Sequence, residues 1–167
     1  VDLWGVMHNG IKLNPKAVEA ISNLIKNKKK VVFLTNAPRP CYVVKQYLLN
    51  LGMKESLLKN IVSSGEVSMN ALQKELFGKL FFHLGPEKDN EIFFNIKNNK
   101  SSLNNCDFIL CTGLFDGKED LNYYRSLLKG YVSKKLICTN PDLIVHKGKA
   151  EEYCAGTVAK LFESIGG

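Results

Sequence analysis

Residues 31–38 read VVFLTNAP, an apolar run that ends in a short polar turn. The run follows a segment with apolar residues at helical spacing, for which Asn14 is the predicted cap and Pro15 the first helical residue. A continuous apolar run after an amphipathic helix is typical of a parallel strand buried on both faces, because crossover helices cover both sides of such a sheet. The stretch therefore predicts a parallel α/β layer.

Alternating segments on both sides of the run at 31–34 extend the layer. An apolar segment at 1–6 precedes that run. Helices are predicted over 40–51, 66–76, 121–128 and 150–165, and strands over 60–63, 79–84, 92–95, 108–112 and 135–139. Strands that alternate with helices indicate an α/β fold with parallel pairing.

Length and composition exclude several classes of protein. The 167 residues are 45% hydrophobic and 23% charged, which is typical of one ordinary globular domain or two small ones and excludes disorder, collagen and coiled coil. No apolar run is long enough to cross a bilayer or to form a signal-peptide core. Five cysteines at wide spacings, with no CxxC pair, indicate reduced thiols. We therefore expect a soluble cytoplasmic protein with no membrane partner.

The formal net charge of +7 raises the question of a nucleic-acid partner. Of the 23 basic residues only Arg39 and Arg125 are arginines, and the lysines are scattered. Readout of base edges and bidentate phosphate binding both favour arginine. The composition therefore predicts a solvated basic surface and no nucleic-acid partner.

Three clusters, at 2–6, 34–36 and 139–142, combine an apolar strand-like run with polar side chains. In open parallel sheets the ligand crevice lies beyond the carboxyl ends of the strands. An Asp in that crevice can act as a nucleophile or bind Mg²⁺, and a Thr hydroxyl can hold a phosphoryl oxygen. Spacing alone leaves a second interpretation open, in which Asp2 has no role and 35–36 only forms a turn.

Three motifs carry a family resemblance. Residues 2–10, DLWGVMHNG, are similar to the first motif of the haloacid dehalogenase (HAD) superfamily, Asp-x-Asp-Gly-Val-Leu followed by a polar turn. Residues 32–36 resemble its second motif, an apolar strand that ends in Thr or Ser. Residues 137–142 and 153–157 resemble the end of the class IIA cap domain. Over essentially the whole chain, the order and separation of the motifs resemble the class IIA phosphatase-like branch.

The resemblance implies an α/β architecture of two parts. Residues 1–64 would form the N-terminal part of a Rossmann-like HAD core, and 65–167 would form an α/β cap domain of the C2 type. The C-terminal part of that core would be absent from the chain. If the core lacks its remaining strands, we expect the chain to self-associate, as a homodimer or by swapping. Otherwise, we expect the core to be less protected from hydrogen exchange than the cap.

The resemblance also implies residue roles. Asp2 would be the nucleophile and, with the backbone carbonyl of Trp4, a ligand of Mg²⁺. Thr35 and Asn36 would bind the transferring phosphoryl group. The candidates for substrate specificity are Arg39, Asn140 and Asp142. The implied function is that of a magnesium-dependent phosphatase that acts on a small phosphorylated metabolite through an aspartyl-phosphate.

Two departures from the family pattern qualify this function. Trp4 stands where the family has a second Asp as general acid and base, a role worth about 10²–10⁴-fold in rate. The third-motif Lys and the fourth-motif acidic residues, which follow the cap in the family, have no counterpart before Gly167. We therefore expect the chain as written to be inactive, either because the protein was shortened or because it is a non-catalytic binding module derived from the family.

Overall fold

The computed structural model describes all 167 residues, Val1–Gly167, as five α-helices and seven strands. The helices are α1 (Pro15–Lys26), α2 (Cys41–Asn50), α3 (Ser64–Gln73), α4 (Leu121–Leu128) and α5 (Ala155–Ser164). The strands are β1 (Phe33–Thr35), β2 (Ile61–Ser63), β3 (Phe81–Leu84), β4 (Phe108–Cys111), β5 (Lys135–Cys138), β6 (Ile144–Lys147) and β7 (Ala150–Tyr153). Segments of 3₁₀ helix cover Glu55–Leu57, Glu87–Asn99 and Lys129–Tyr131. None of the helices has the length and apolarity needed to span a membrane.

The strands form three sheets. β1 and β2 pair in parallel, β3, β4 and β5 form a parallel sheet in that order, and β6 and β7 form an antiparallel hairpin. The predicted α/β class with parallel sheets is confirmed.

Helix α1 begins where the sequence predicts. The side chain of Asn14 accepts a hydrogen bond from the Ala17 N–H, and Pro15 occupies the first turn. This arrangement satisfies one of the free N–H groups of the helix end and uses a residue that has no N–H to lose.

The sheet of β1 and β2 is covered on one face. Phe33 is fully buried and packs with Ile21 of α1 and Leu48 of α2 in one hydrophobic cluster. Leu34 and Val62, partners in the parallel register, lie on the opposite face and are exposed. The prediction that this strand is buried on both faces is therefore wrong, because both helices that flank it in sequence pack on the same side.

The sheet of β3, β4 and β5 is covered on both faces. All four residues of β4 are buried. Ile109 and Cys111 pack against α4 and α5, and Phe108 and Leu110 pack against α3 and the segment Glu87–Asn99. β4 thus has the environment that the continuous apolar runs predict for a parallel strand.

Three segments differ from the predicted elements. Residues 92–95 were expected to be a strand but lie in a 3₁₀ segment, where Ile92 and Phe93 are both buried and Phe94 is exposed, a pattern that strand alternation cannot produce. Residues 150–153 form β7, so the closing helix starts only at Ala155. The apolar segment at 1–6 forms no strand and makes two isolated bridges, Asp2 to Leu34 and Trp4 to His8.

The hydrophobic clusters are distributed along the chain in two blocks. One cluster draws on residues 3–61, and the other two draw on residues 69–165. The division into a core part (1–64) and a cap (65–167) remains a prediction.

Candidate active site

One cleft of about 840 Å³ lies between the carboxyl end of β1 and the hairpin of β6 and β7. The structure places every site residue predicted from the sequence along its walls: Asp2, Trp4, Thr35, Asn36, Arg39, Asn140 and Asp142. These residues come from both ends of the chain, so tertiary folding brings them together. Their chemical roles remain predictions.

The carboxylate and the hydroxyl lie on neighbouring chain segments. Asp2 bridges to Leu34 in parallel, so Thr35 follows directly after the residue opposite Asp2. The Leu3 N–H donates to Asp2 Oδ1 at 2.8 Å, and the second carboxylate oxygen, Oδ2, has no partner within the chain. The Thr35 hydroxyl oxygen accepts from the Ala37 N–H at 3.2 Å, which leaves its own proton free to donate.

The loop after β1 is pressed against the start of α3. The Gly65 N–H donates to the Ala37 carbonyl oxygen at 3.0 Å, and the Ser63 hydroxyl donates to the Arg39 carbonyl oxygen at 2.6 Å. A Cβ on Gly65 would lie 2.2 Å from the Arg39 nitrogen, so only glycine permits this approach. The loop that carries Asn36 and Arg39 is therefore held in one position.

A second loop, residues 139–142, is fixed to this one. The Asn36 amide donates to Asp142 Oδ1 at 3.1 Å, and the Ser64 hydroxyl donates to the Thr139 carbonyl oxygen. Asn140 accepts the Asp142 N–H at 3.0 Å and so shapes the turn. Asn36 and Asp142, predicted separately from the sequence, are direct partners.

Trp4 joins the N-terminal segment to the hairpin. Its indole N–H donates to the His146 carbonyl oxygen at 3.0 Å, and its ring lies edge-on to His8 with centroids 5.1 Å apart. A Cβ on Gly10 would lie 2.8 Å from the indole, so the ring also fills the space over the turn. Trp4 therefore packs through its apolar ring and donates a hydrogen bond through its indole N–H.

His8 lies behind Trp4 and is buried. Its Nδ1 accepts from the Gly10 N–H at 3.1 Å, which places the proton of the neutral ring on Nε2. Burial lowers the pKa of His8, and the nearby charge of Asp2 opposes that shift. The imidazole is therefore neutral at pH 7.

The chain offers two oxygen donors that suit Mg²⁺. The Trp4 carbonyl oxygen accepts no backbone or side-chain hydrogen bond within the chain, and Asp2 Oδ1, beside the same cleft, accepts only the Leu3 N–H and keeps a second lone pair for the ion. No group of three or more His, Cys, Asp or Glu side chains is arranged to hold a metal. Because Mg²⁺ commonly binds one or two carboxylates and completes its shell with water and substrate phosphate, this donor set fits the ion.

Asp89 is a residue of the cleft that sequence reasoning missed. Arg39 Nε donates to Asp89 Oδ1 at 2.9 Å, and the Asp89 side chain is 2% exposed. Burial raises the pKa of Asp89, and the Arg39 guanidinium acts against that rise. The two residues are 50 positions apart, so no local pattern could have marked the pair.

Residues 1–97 match a family model described as haloacid dehalogenase-like hydrolase, more than half of the chain. The chain belongs to the haloacid dehalogenase-like hydrolases. A search of curated proteins finds no significant match.

Solved structures are similar in fold over nearly the whole chain. A haloacid dehalogenase-like hydrolase from Brucella suis 1330 is 30% identical, with a TM-score of 0.92, and the match covers 99% of this chain and 62% of that one. The p-nitrophenyl phosphatase from Archaeoglobus fulgidus is 18% identical, with a TM-score of 0.70 and coverage of 99% and 64%. A glycerol phosphate phosphatase from Mycobacterium tuberculosis, in complex with calcium, is 17% identical, with a TM-score of 0.66 and coverage of 98% and 48%. The chain spans less than two thirds of the length of each of these structures.

Proposed function

We propose that this hydrolase is a magnesium-dependent phosphatase that acts on a small phosphorylated molecule through an aspartyl-phosphate on Asp2. The observation that carries the proposal is the placement of Asp2 and Thr35 on neighbouring segments at the mouth of one cleft. The names of two similar structures, a p-nitrophenyl phosphatase and a glycerol phosphate phosphatase, support phosphomonoesters as the substrate class.

The nucleophilic step uses the free oxygen of Asp2. The Leu3 N–H occupies Oδ1, so Oδ2 attacks phosphorus, a P–O bond to Asp2 forms, and the bond to the leaving oxygen breaks. The Thr35 hydroxyl donates to a phosphoryl oxygen, since its own oxygen is already oriented by the Ala37 N–H. Water then hydrolyses the aspartyl-phosphate.

Asp2 and the Trp4 carbonyl would hold the magnesium ion. When bound, Mg²⁺ offsets the negative charge of the phosphoryl oxygens. In this proposal the chain's own contribution is to present the two oxygens on one turn, which the Trp4 indole anchors to the hairpin of β6 and β7.

The leaving oxygen receives no proton from residue 4. An indole cannot transfer a proton, and the Trp4 N–H is engaged with His146. In a protein that also carries the third and fourth motifs of the family, substrates whose leaving groups depart as anions, such as aryl and acyl phosphates, should therefore react, and alkyl phosphates should be nearly inert.

The second candidate function is a non-catalytic phosphate-binding module. The small set of metal-binding side chains favours it, because one carboxylate and one carbonyl bind Mg²⁺ weakly in the absence of a phosphate ligand. In this case the cleft binds a phosphorylated molecule without turnover.

Beryllium fluoride tests the phosphoryl site without requiring turnover, because it mimics a phosphoryl group on a carboxylate. With Mg²⁺ present, the wild-type chain should give a bound ¹⁹F NMR signal that Asp2→Asn abolishes and Thr35→Val weakens. Glu19→Gln, an exposed carboxylate on α1, is the matched control. Absence of a bound signal in the wild type contradicts the proposed function.

Hydrolysis of p-nitrophenyl phosphate tests whether the 167-residue chain is catalytic on its own. We expect the 167-residue chain to hydrolyse it no faster than Asp2→Asn, because a site with two metal donors stabilises little transition-state charge. Magnesium-dependent turnover that Asp2→Asn abolishes would rule out the non-catalytic module.

A further inference from the structure

Arg39 is held at both its backbone and its guanidinium. Its carbonyl oxygen accepts the Ser63 hydroxyl at 2.6 Å, and its backbone lies against Gly65. Its Nε donates to Asp89 at 2.9 Å, the only hydrogen bond of the guanidinium. Both terminal nitrogens, with four N–H donors, therefore have no partner in the chain, although the side chain lines the cleft.

Asp89 is built to hold this arginine. Its carboxylate is buried, and Arg39 is its only ion-pair partner. Thr112 lowers the pKa of the Asp89 carboxyl, and His83 Nε2 lies 2.9 Å from the Thr112 hydroxyl. A buried carboxylate that pairs with Nε orients the guanidinium and leaves both of its terminal nitrogens unpaired within the chain.

The cationic groups of the cleft belong to other segments than the predicted phosphoryl site. Asp2 and Thr35 stand at the end of the β1–β2 sheet, whereas Arg39 lies beyond the turn at 36–38 and is tied to the segment Glu87–Asn99. Lys88, next to Asp89, is exposed and forms no ion pair. Arg39 and Lys88 are the only Lys or Arg residues that line the cleft.

We propose that Arg39, positioned by Asp89, binds a second oxyanion of the ligand, so that the protein takes phosphomonoesters whose leaving group carries a carboxylate or a second phosphate. The free edge of a guanidinium matches either group with two parallel hydrogen bonds. Arg39 is the binding residue, and Asp89 is a positioning residue. The inference rests on the proposed function, because it takes the phosphoryl group to lie at Asp2 and Thr35.

Calorimetric titration of the full chain with Mg²⁺ tests the inference with three ligands. 2-Phosphoglycolate carries the carboxylate, and ethane-1,2-diol bisphosphate carries the second phosphate. 2-Hydroxyethyl phosphate is the control, because an uncharged hydroxyl takes the place of the second anionic group. We expect at least one of the two anionic ligands to bind about ten- to a hundredfold more tightly than the control. The tighter binder of the two anionic ligands identifies the second group of the substrate as a carboxylate or a phosphate.

The variants separate positioning from charge. Arg39→Met should remove the preference, and Arg39→Lys should lose most of it, because the charge remains but the planar fork is gone. Arg125→Met, the other arginine of the chain, lies on α4 outside this cleft and should retain the preference. Asp89→Asn keeps an oxygen acceptor for Nε and should retain it, whereas Asp89→Leu should lose it.

The outcomes are distinct. Equal binding of all three ligands to the wild type overturns the inference and leaves the proposed function standing. Binding of none of them overturns both. An unchanged preference in Arg39→Met, with the fold verified by circular dichroism, overturns the assignment to Arg39. A preference that Asp89→Leu keeps, or that Asp89→Asn loses as fully as Asp89→Leu, overturns the positioning role of Asp89.

Discussion

Gly65→Ala should destabilise the protein and weaken its phosphoryl site together. An added Cβ would lie 2.2 Å from the nitrogen, 2.4 Å from the carbonyl carbon and 2.5 Å from the oxygen of Arg39. All three are backbone atoms, so no side-chain rotation relieves the contact. Since non-bonded carbons pack best at about 3.5–4.0 Å, the loop at 36–39 must move by more than about 1 Å.

The cost follows from this displacement. Forcing extra atoms into a packed site typically costs about 1–3 kcal/mol. The gain of Ala over Gly in a helix offsets at most about 1 kcal/mol of it. We therefore expect the free energy of unfolding to fall by about 1–2 kcal/mol, which lowers Tm by roughly 2–8 °C for a chain of this size. A shift of about 1 Å in a site can weaken its function about 100-fold.

Urea unfolding followed by circular dichroism measures the stability, and beryllium fluoride titration measures the site. Gly130→Ala is the matched control, because a Cβ there meets nothing within 4 Å and the glycine has no positive φ. The control should keep or slightly raise stability. If Gly65→Ala unfolds at the same urea concentration as Gly130→Ala and binds beryllium fluoride as the wild type does, the close approach at Arg39 does not hold the loop.

Three further predictions follow from other contacts. Burial, aided by the charge of Lys100, lowers the pKa of His83 to about 4 in the folded chain. Because the pKa of an unperturbed His is about 6.5, the unfolded chain binds more protons than the folded chain between about pH 4 and pH 6.5. The free energy of unfolding should therefore fall by roughly 3 kcal/mol as the pH falls from about 6.5 to about 4, and His83→Gln should remove that slope in urea titrations. Trp4→Phe removes the indole N–H donor to His146 and should lower the free energy of unfolding by about 1 kcal/mol; an unchanged urea midpoint would contradict this role. Leu34→Thr makes the exposed face of β1 polar while keeping a residue suited to strands, and should reduce self-association in sedimentation velocity; a wild-type chain that is already monomeric would count against the predicted homodimer.

Local sequence patterns predicted the elements that depend on local interactions. The cap at Asn14 and the helix Leu121–Leu128 lie where the sequence predicts them. Capping and helical periodicity act within a few residues, so they can be recognised without knowledge of the fold.

The failures occurred where a distant partner decides the outcome. Residues 92–95 are apolar enough for a strand, but Phe93 packs against Phe81 with centroids 5.0 Å apart and the segment follows a 3₁₀ path. No residue of β6 or β7 is buried, and the hairpin turns at Gly148, with a φ of +64°, so its pattern of apolar residues is weak. Tertiary packing overrides local preference in segments of this kind.

The chemistry of the candidate site divides in the same way. Asp2 and Thr35 could be identified as candidates because each belongs to a motif of contiguous residues, and the carboxyl ends of parallel strands share one edge of a sheet. The contacts of Asn36 with Asp142, of Trp4 with His146 and of Arg39 with Asp89 join residues 50 to 142 positions apart. Such pairs leave no periodicity in the sequence, because their geometry arises only when separate elements pack around the cleft. Residue types at strand ends therefore indicate which groups are available, and the packing of the two sheets and the hairpin decides which of them meet.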